Sequence, residues 1–152
     1  MKKYSFPYAF KLEENGEIRF FPSISVYFQS RNGEKVFALL VVDSGADVTL
    51  LTYEDALALG IKLEEGEKTL VAGITPSRVT VGYRHNIKIK FNQLNFEIPI
   101  VFANSNEVPR VLGREGVFDK FFILFDEKLK QTVFILRNSD SQKKLGTILK
   151  NC

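Results

Sequence analysis

Apolar residues in this chain fall in short runs rich in Val, Ile, Phe and Tyr, separated by Gly, Pro, Asn and charged residues. That pattern predicts a mainly β protein. A first pair of strands is expected over Ser5 to Leu12 and Glu17 to Ser30. They are joined at Glu14-Asn15-Gly16, where Asn-Gly supplies the positive φ angles of a tight hairpin. Pro22 bends or interrupts the second strand, because proline cannot donate to a ladder. A second Asn-Gly turn, Arg31-Asn32-Gly33-Glu34, leads into Val36 to Val42, an unbroken apolar run that predicts a strand buried on both faces.

After Val42 the chain turns polar at Asp43-Ser44-Gly45-Ala46-Asp47 and apolar again through Val48 to Leu51. Thr52 is placed to cap a short helix whose first turn carries Glu54 and Asp55, favourable at the positive end of the helix dipole, and Gly60 stops it. Lys68 to Ala72 and Val79 to Tyr83 predict a hairpin with the tip Gly73-Ile74-Thr75-Pro76-Ser77. Ile87, Ile89 and Phe91 alternate with Lys88 and Lys90, as in a half-exposed strand. A strand over Phe96 to Phe102 and a polar loop, Ala103 to Pro109, follow. Glu115 to Phe121 has room for one or two helical turns before strands at Phe122 to Asp126 and Thr132 to Leu136. The polar residues 138–152 are expected to form a loosely held tail.

The 152 residues suit one domain, with a core over about 36–137 and an N-terminal strand extension, 1–35. Hydrophobic residues at 45% and charged residues at 26% exclude a disordered or collagen-like chain. The 21 basic residues against 18 acidic ones are scattered, so no nucleic-acid partner is expected. The one cysteine, Cys152, permits neither an intrachain disulfide nor a Cys-based zinc site, and no metal or other cofactor is expected. No secretory segment follows Met1-Lys2-Lys3, and no apolar run approaches the roughly 20 residues of a membrane helix. The expectation is a cytoplasmic protein with no membrane partner.

One group of residues carries candidate chemistry. In Val41-Val42-Asp43-Ser44-Gly45-Ala46-Asp47 an apolar strand delivers a carboxylate to the edge of the core on a tight turn. An ordinary Asp-Ser-Gly β-turn, with the Asp side chain accepting backbone N–H bonds, explains those three residues equally well. A second motif, Val111-Leu112-Gly113-Arg114, begins far downstream, with the Gly73-bearing hairpin between the two. His85, between Arg84 and Asn86, is expected at the surface. No Gly-x-Ser-x-Gly elbow, Walker loop or His-Glu-x-x-His is present.

The order apolar-Asp-Ser-Gly-Ala-Asp, hairpin, apolar-apolar-Gly-Arg resembles the retropepsin-like aspartic proteases over roughly Val36 to Phe125. The resemblance implies an all-β, closed barrel-like single domain with one or two short helices, working as a homodimer on extended peptide substrates. Asp43 matches the catalytic position, one from each chain. Ser44 would bond across the two-fold axis, and Gly45 would bring its backbone to the substrate. Ala46 would complete the active-site loop, and Asp47 would receive a bidentate salt bridge from Arg114. Gly113 would allow tight packing beneath Asp43. Val71, Ala72, Gly73, Ile74 and Thr75 would form the flap, though Pro76 and the scarcity of glycine depart from a retroviral flap. Ala46, Val71, Ile74, Val81 and Val111 match pocket walls.

Asp119, Asp126 and Glu127 lack the following Ser/Thr-Gly, so the second aspartate is expected from another chain. The rival reading is a non-catalytic peptide-binding or dimerisation module of the same fold.

Overall fold

The computed structural model describes residues 1–72 and 79–151. Its strands are β1 (Lys3–Pro7), β2 (Ala9–Leu12), β3 (Ile18–Phe21), β4 (Ser23–Gln29), β5 (Lys35–Val42), β6 (Thr49–Leu51), β7 (Glu67–Ala72), β8 (Val79–Phe91), β9 (Leu94–Ala103), β10 (Val111–Leu112), β11 (Phe121–Asp126) and β12 (Gln131–Leu136). The helices are α1 (Tyr53–Ala58) and α2 (Ser139–Lys150), with a single 3-10 turn at Leu63–Glu65. Backbone contacts divide the chain into two compact units, Ser25–Gly116 and Met1–Ile24 with Val117–Cys152.

The central unit is a closed barrel. Strands run in the order β4-β5-β10-β6-β9-β8, and β8 pairs back onto β4 at Tyr27↔Lys90 and Phe28↔Ile89, with β7 added outside on β8. Closure removes the open sheet edges that otherwise invite aggregation. Inward side chains fill the barrel, among them Val26, Phe28, Leu40, Ile89, Ile98, Ile100 and Phe102, all buried. Strand β5 departs from the sequence expectation of burial on both faces. Ala38, Leu40 and Val42 point inward, whereas Phe37 and Leu39 are exposed. A barrel wall has one inner face, so alternate apolar residues are left outside, where Phe37 meets Tyr27 edge-on at 5.6 Å between ring centres.

Local chemistry explains the boundaries. Gly16 and Gly33 sit at φ +83° and +82° in the two Asn-Gly turns. Thr52 caps α1: its hydroxyl accepts from the Asp55 N–H at 3.3 Å, while the Asp55 carboxylate accepts from the Thr52 N–H at 3.0 Å, a reciprocal capping box.

In the second unit β1, β12 and β11 form an antiparallel sheet over the buried Phe121 and Phe134, whose rings meet edge-to-face at 5.8 Å. Strands β2 and β3 form a separate two-stranded ribbon. Two expectations are corrected here. Glu115 to Lys120 folds as turns rather than a helix, because Gly116 sits at φ +73°, outside the helical region. The C-terminal segment expected as a loose tail is α2, started by Asn138, whose side chain accepts from the Ser141 N–H at 2.8 Å while the Ser141 hydroxyl accepts from the Asn138 N–H at 2.9 Å. Among the described residues no helix is long and apolar enough to cross a membrane.

Candidate active site

Strand β5 ends by handing Asp43 to the turn that follows. The parallel ladder between β5 and β10 pairs Val41 with Val111 and Val42 with Leu112. It is extended by Val41 N–H donating to the Arg110 carbonyl at 3.0 Å and Asp43 N–H donating to the Leu112 carbonyl at 3.1 Å. Asp43 is thus held by backbone on the strand side. On the loop side its Oδ1 accepts from the Gly45 N–H at 2.8 Å, and its carbonyl accepts from the Ala46 N–H at 3.3 Å. Asp43 is half-buried, Ser44 and Gly45 are exposed, and Ala46 is half-buried. A half-buried carboxylate is thus anchored by main-chain hydrogen bonds on both sides of the turn.

The two sequence motifs are laced together. Arg114 N–H donates to the Ala46 carbonyl at 3.0 Å, Glu115 N–H donates to the Asp47 carbonyl at 2.8 Å, and the Arg114 guanidinium is ion-paired with Asp47. The pair was expected as bidentate; the contact runs through one nitrogen, Nη2, to one oxygen, Oδ1. Gly113 is buried, and its N–H donates to the Thr49 hydroxyl at 3.2 Å. Thr49 is fully buried and had no role in the sequence reading. The signal for it was a lone hydroxyl inside the apolar run Val48 to Leu51, which in a core must find a partner.

Beyond the loop, Arg84 on β8 is ion-paired with Glu115, linking the root of the β7–β8 hairpin to the residue after Arg114. A second network braces α1 to the chain entering β10. Arg110 Nε donates to Asp55 Oδ2 at 2.8 Å, and the Thr52 hydroxyl donates to the same oxygen at 2.7 Å. Burial pushes the Asp55 carboxyl up, but the bonds from Arg110 and from the Thr52 N–H and hydroxyl outweigh it and hold the group below its ordinary value. Sequence reading found Asp55 as a helix-start residue and missed Arg110, which lies 55 positions away.

Of the expected flap, Val71 and Ala72 lie at the end of β7, paired with Thr80 and Val79; Gly73, Ile74 and Thr75 lie outside the described residues. Val71 leans over Gly82, where an added Cβ would stand 3.0 Å from Val71 Cγ2. Of the expected pocket walls, Ala46 and Val81 are half-buried and Val111 is buried. His85 is half-buried rather than at the surface, with Nε2 3.1 Å from the Leu63 carbonyl. A cavity of about 220 Å³ bounded by Tyr27, Lys35, Lys88 and Lys90 contains none of the candidate residues. Among the described residues no cluster of His, Cys, Asp or Glu is placed to hold a metal ion.

Comparison with known proteins bears on this arrangement. The chain is similar in structure to a retropepsin-like aspartic protease from Rickettsia conorii, with 17% identity, 88% of this chain and 91% of that chain covered, and a TM-score of 0.58. It is also similar to the EIAV protease complexed with the inhibitor HBY-793, with 21% identity, 65% of this chain and 86% of that chain covered, and a TM-score of 0.46. No curated protein is significantly similar in sequence. The first of these likenesses identifies the six-stranded barrel with its short helix as a retropepsin-like fold. A sequence model of the aspartyl proteases matches residues 26–115, more than half of the chain and a span that includes both the Asp43 turn and Gly113-Arg114, so the chain belongs to the aspartyl protease family.

Proposed function

We propose that this chain is one half of an aspartic endopeptidase, in which two copies bring their Asp43 carboxylates together across a two-fold axis. The observation that carries the reading is the lacing of the two motifs. Backbone bonds from Asp43 to Leu112 and from Arg114 to Ala46 hold the loop that carries a half-buried carboxylate. Such pre-organisation is what a catalytic group needs and a surface turn does not.

Two carboxylates in contact cannot easily both ionise, so the pair shares one proton; aspartic proteases are the familiar example of this effect. The ionised member takes a proton from a water held between them, and the protonated member donates to the scissile carbonyl oxygen. The water oxygen bonds to the carbonyl carbon. The tetrahedral species then collapses by breaking the C–N bond, with a proton delivered to the departing amine.

The remaining residues take supporting roles in this reading. Ser44 reaches across the axis to the opposite loop. The Gly45 carbonyl accepts a substrate N–H, and Ala46 lies beside the bound chain. Asp47, Gly113 and Arg114 hold the loop in place. An extended peptide lies against these loops, pairing by main-chain bonds as in strand addition. One chain supplies only half of such a cleft in this reading.

Incubation of the purified protein with a peptide library at about pH 4–6 tests the reading. Cleavage that is blocked by a pepstatin-type inhibitor and lost in Asp43→Asn, with dimers retained, supports it. A wild-type protein that dimerises and binds peptide without cutting it at any pH overturns it in favour of the non-catalytic module.

A further inference from the structure

We infer that the outer wall of the barrel, at the seam where β4 meets β8, binds a small phosphate ester carried on an aromatic ring, of which a nucleoside monophosphate is the simplest example. None of the residues assigned to peptide cleavage lines this place.

The strand register builds the site. Across the seam Tyr27 pairs with Lys90 and Phe28 with Ile89, and one further step sets Gln29 beside Lys88. On the other side of β8, Lys90 pairs with Asn95 and Lys88 with Glu97. Phe28 and Ile89 are buried in the barrel, so the residues alternating with them, Tyr27, Gln29, Lys88 and Lys90, point outward. The Ser30 N–H donates to the Glu34 carbonyl at 2.8 Å, closing the turn between β4 and β5, and this brings Lys35 beside Gln29. The cavity of about 220 Å³ lies among these side chains, with the buried Phe28 and Ile89 also on its lining.

Charge selects the occupant. Lys88 and Lys90 leave the backbone about 7 Å apart, and Lys35 stands two strands from Lys88, about 10 Å. Flexible stems let the three ammonium groups converge on one ligand. Among the described residues no acid lines this cavity, and none of the three lysines is ion-paired. Gathered cations without a partner repel one another, and a bound dianion removes that cost. A long polyanion does not suit the patch, because Glu34 beside Lys35 and Glu97 beside Lys88 close the lysine row at both ends. A compact phosphate does. The Tyr27 ring is 46% exposed and meets Phe37, itself 57% exposed, edge-on at 5.6 Å. An aromatic surface beside a cluster of cations suits a planar ring joined to a phosphate: the ring stacks while the lysines take the charge. Gln29 and Asn95 add amide donors for the ester oxygens.

Isothermal titration of the full chain with adenosine 5′-monophosphate at low ionic strength tests the inference. Saturable binding is expected, with inorganic phosphate weaker and adenosine weaker still. Lys88→Gln/Lys90→Gln is expected to lose affinity by about tenfold or more, and Tyr27→Ser to weaken the nucleotide while leaving inorganic phosphate unchanged. All three side chains are exposed, so circular dichroism and the melting temperature are expected to show folded variants. Lys143→Gln/Lys150→Gln, at two exposed positions of α2, removes the same charge elsewhere and is expected to bind as the wild type does. Absence of saturable binding by the wild type overturns the inference, and so does adenosine binding as tightly as the monophosphate. An equal loss in the α2 variant reduces the effect to net charge and overturns it as well. Tighter binding of an oligoglutamate peptide or an oligonucleotide than of the monophosphate overturns it in favour of a polyanion.

Discussion

Gly113 lies against the backbone of Val48, so close that a Cβ built on it would stand 2.3 Å from the Val48 carbonyl carbon and 2.4 Å from its oxygen. The neighbour is main chain at the end of the Asp43 loop and cannot swing aside as a side chain would. Gly113→Ala is therefore expected to destabilise the protein by about 3 kcal/mol, the upper range for overpacking a closed site. Chemical denaturation measures it. Gly45→Ala, where among the described residues the added Cβ would meet only Asp43 Oδ1 at 3.2 Å, is expected to cost less stability and to displace the carboxylate.

The Asp47–Arg114 pair is expected to matter little for stability. Asp47 is 84% exposed and Arg114 53% exposed, and solvent-exposed ion pairs contribute less than about 1 kcal/mol. Arg114→Met should barely move the melting temperature. Because the pair holds the substrate-facing loop in the proposed reading, the same variant is expected to raise KM for a peptide while kcat falls less. Equal loss in stability and activity would assign it a structural role.

Asp55 gives the fold an acid limit. Its side chain is only 13% exposed, and its carboxyl is held below the ordinary value despite burial, by Arg110 and Thr52. A group with a lowered folded value stabilises the fold fully above its unfolded value, near pH 4, and loses that contribution as pH falls through the lower folded value. Asp55→Asn is expected to cost about 2 kcal/mol at neutral pH. The gap between variant and wild type should narrow in melts taken below about pH 4. The network thus stays intact across the pH range proposed for catalysis.

Features decided within a few residues were readable from the sequence. The Asn-Gly turns at Gly16 and Gly33, the break at Pro22 and the Thr52 cap all depend on local backbone chemistry, and each stands where it was expected. The expected Asp47–Arg114 pairing is present as well, because the resemblance supplied a contact across 67 positions that no local pattern contains. What was missed depends on packing. The outward face of β5 follows from barrel closure, the Arg110 contact from the return of the chain beside α1, and the buried Thr49 from the approach of Gly113.

Helix α2 shows how a local signal can be overlooked. Its capping box uses Ser141 where a Glu or Gln is the usual sign, in a stretch polar enough to read as a tail. Ser141 is fully buried, and its hydroxyl also donates to the Leu136 carbonyl at 2.8 Å. Asn138→Ala is expected to lower stability by about 1 kcal/mol, measured by thermal melting with circular dichroism at 222 nm, the usual helix signal. Melting at the wild-type temperature would mean that α2 is not coupled to the folded unit.

The central claim is that one active site needs an Asp43 from each of two chains. Mixing wild-type protein with Asp43→Asn at constant total concentration, allowing subunits to exchange, and measuring peptide cleavage tests it most directly. If both carboxylates are required, only dimers with two wild-type chains cut, and activity follows the square of the wild-type fraction. An equal mixture should then retain about a quarter of full activity. Activity that falls in direct proportion, to about a half, would mean that each chain works by itself and would contradict the account.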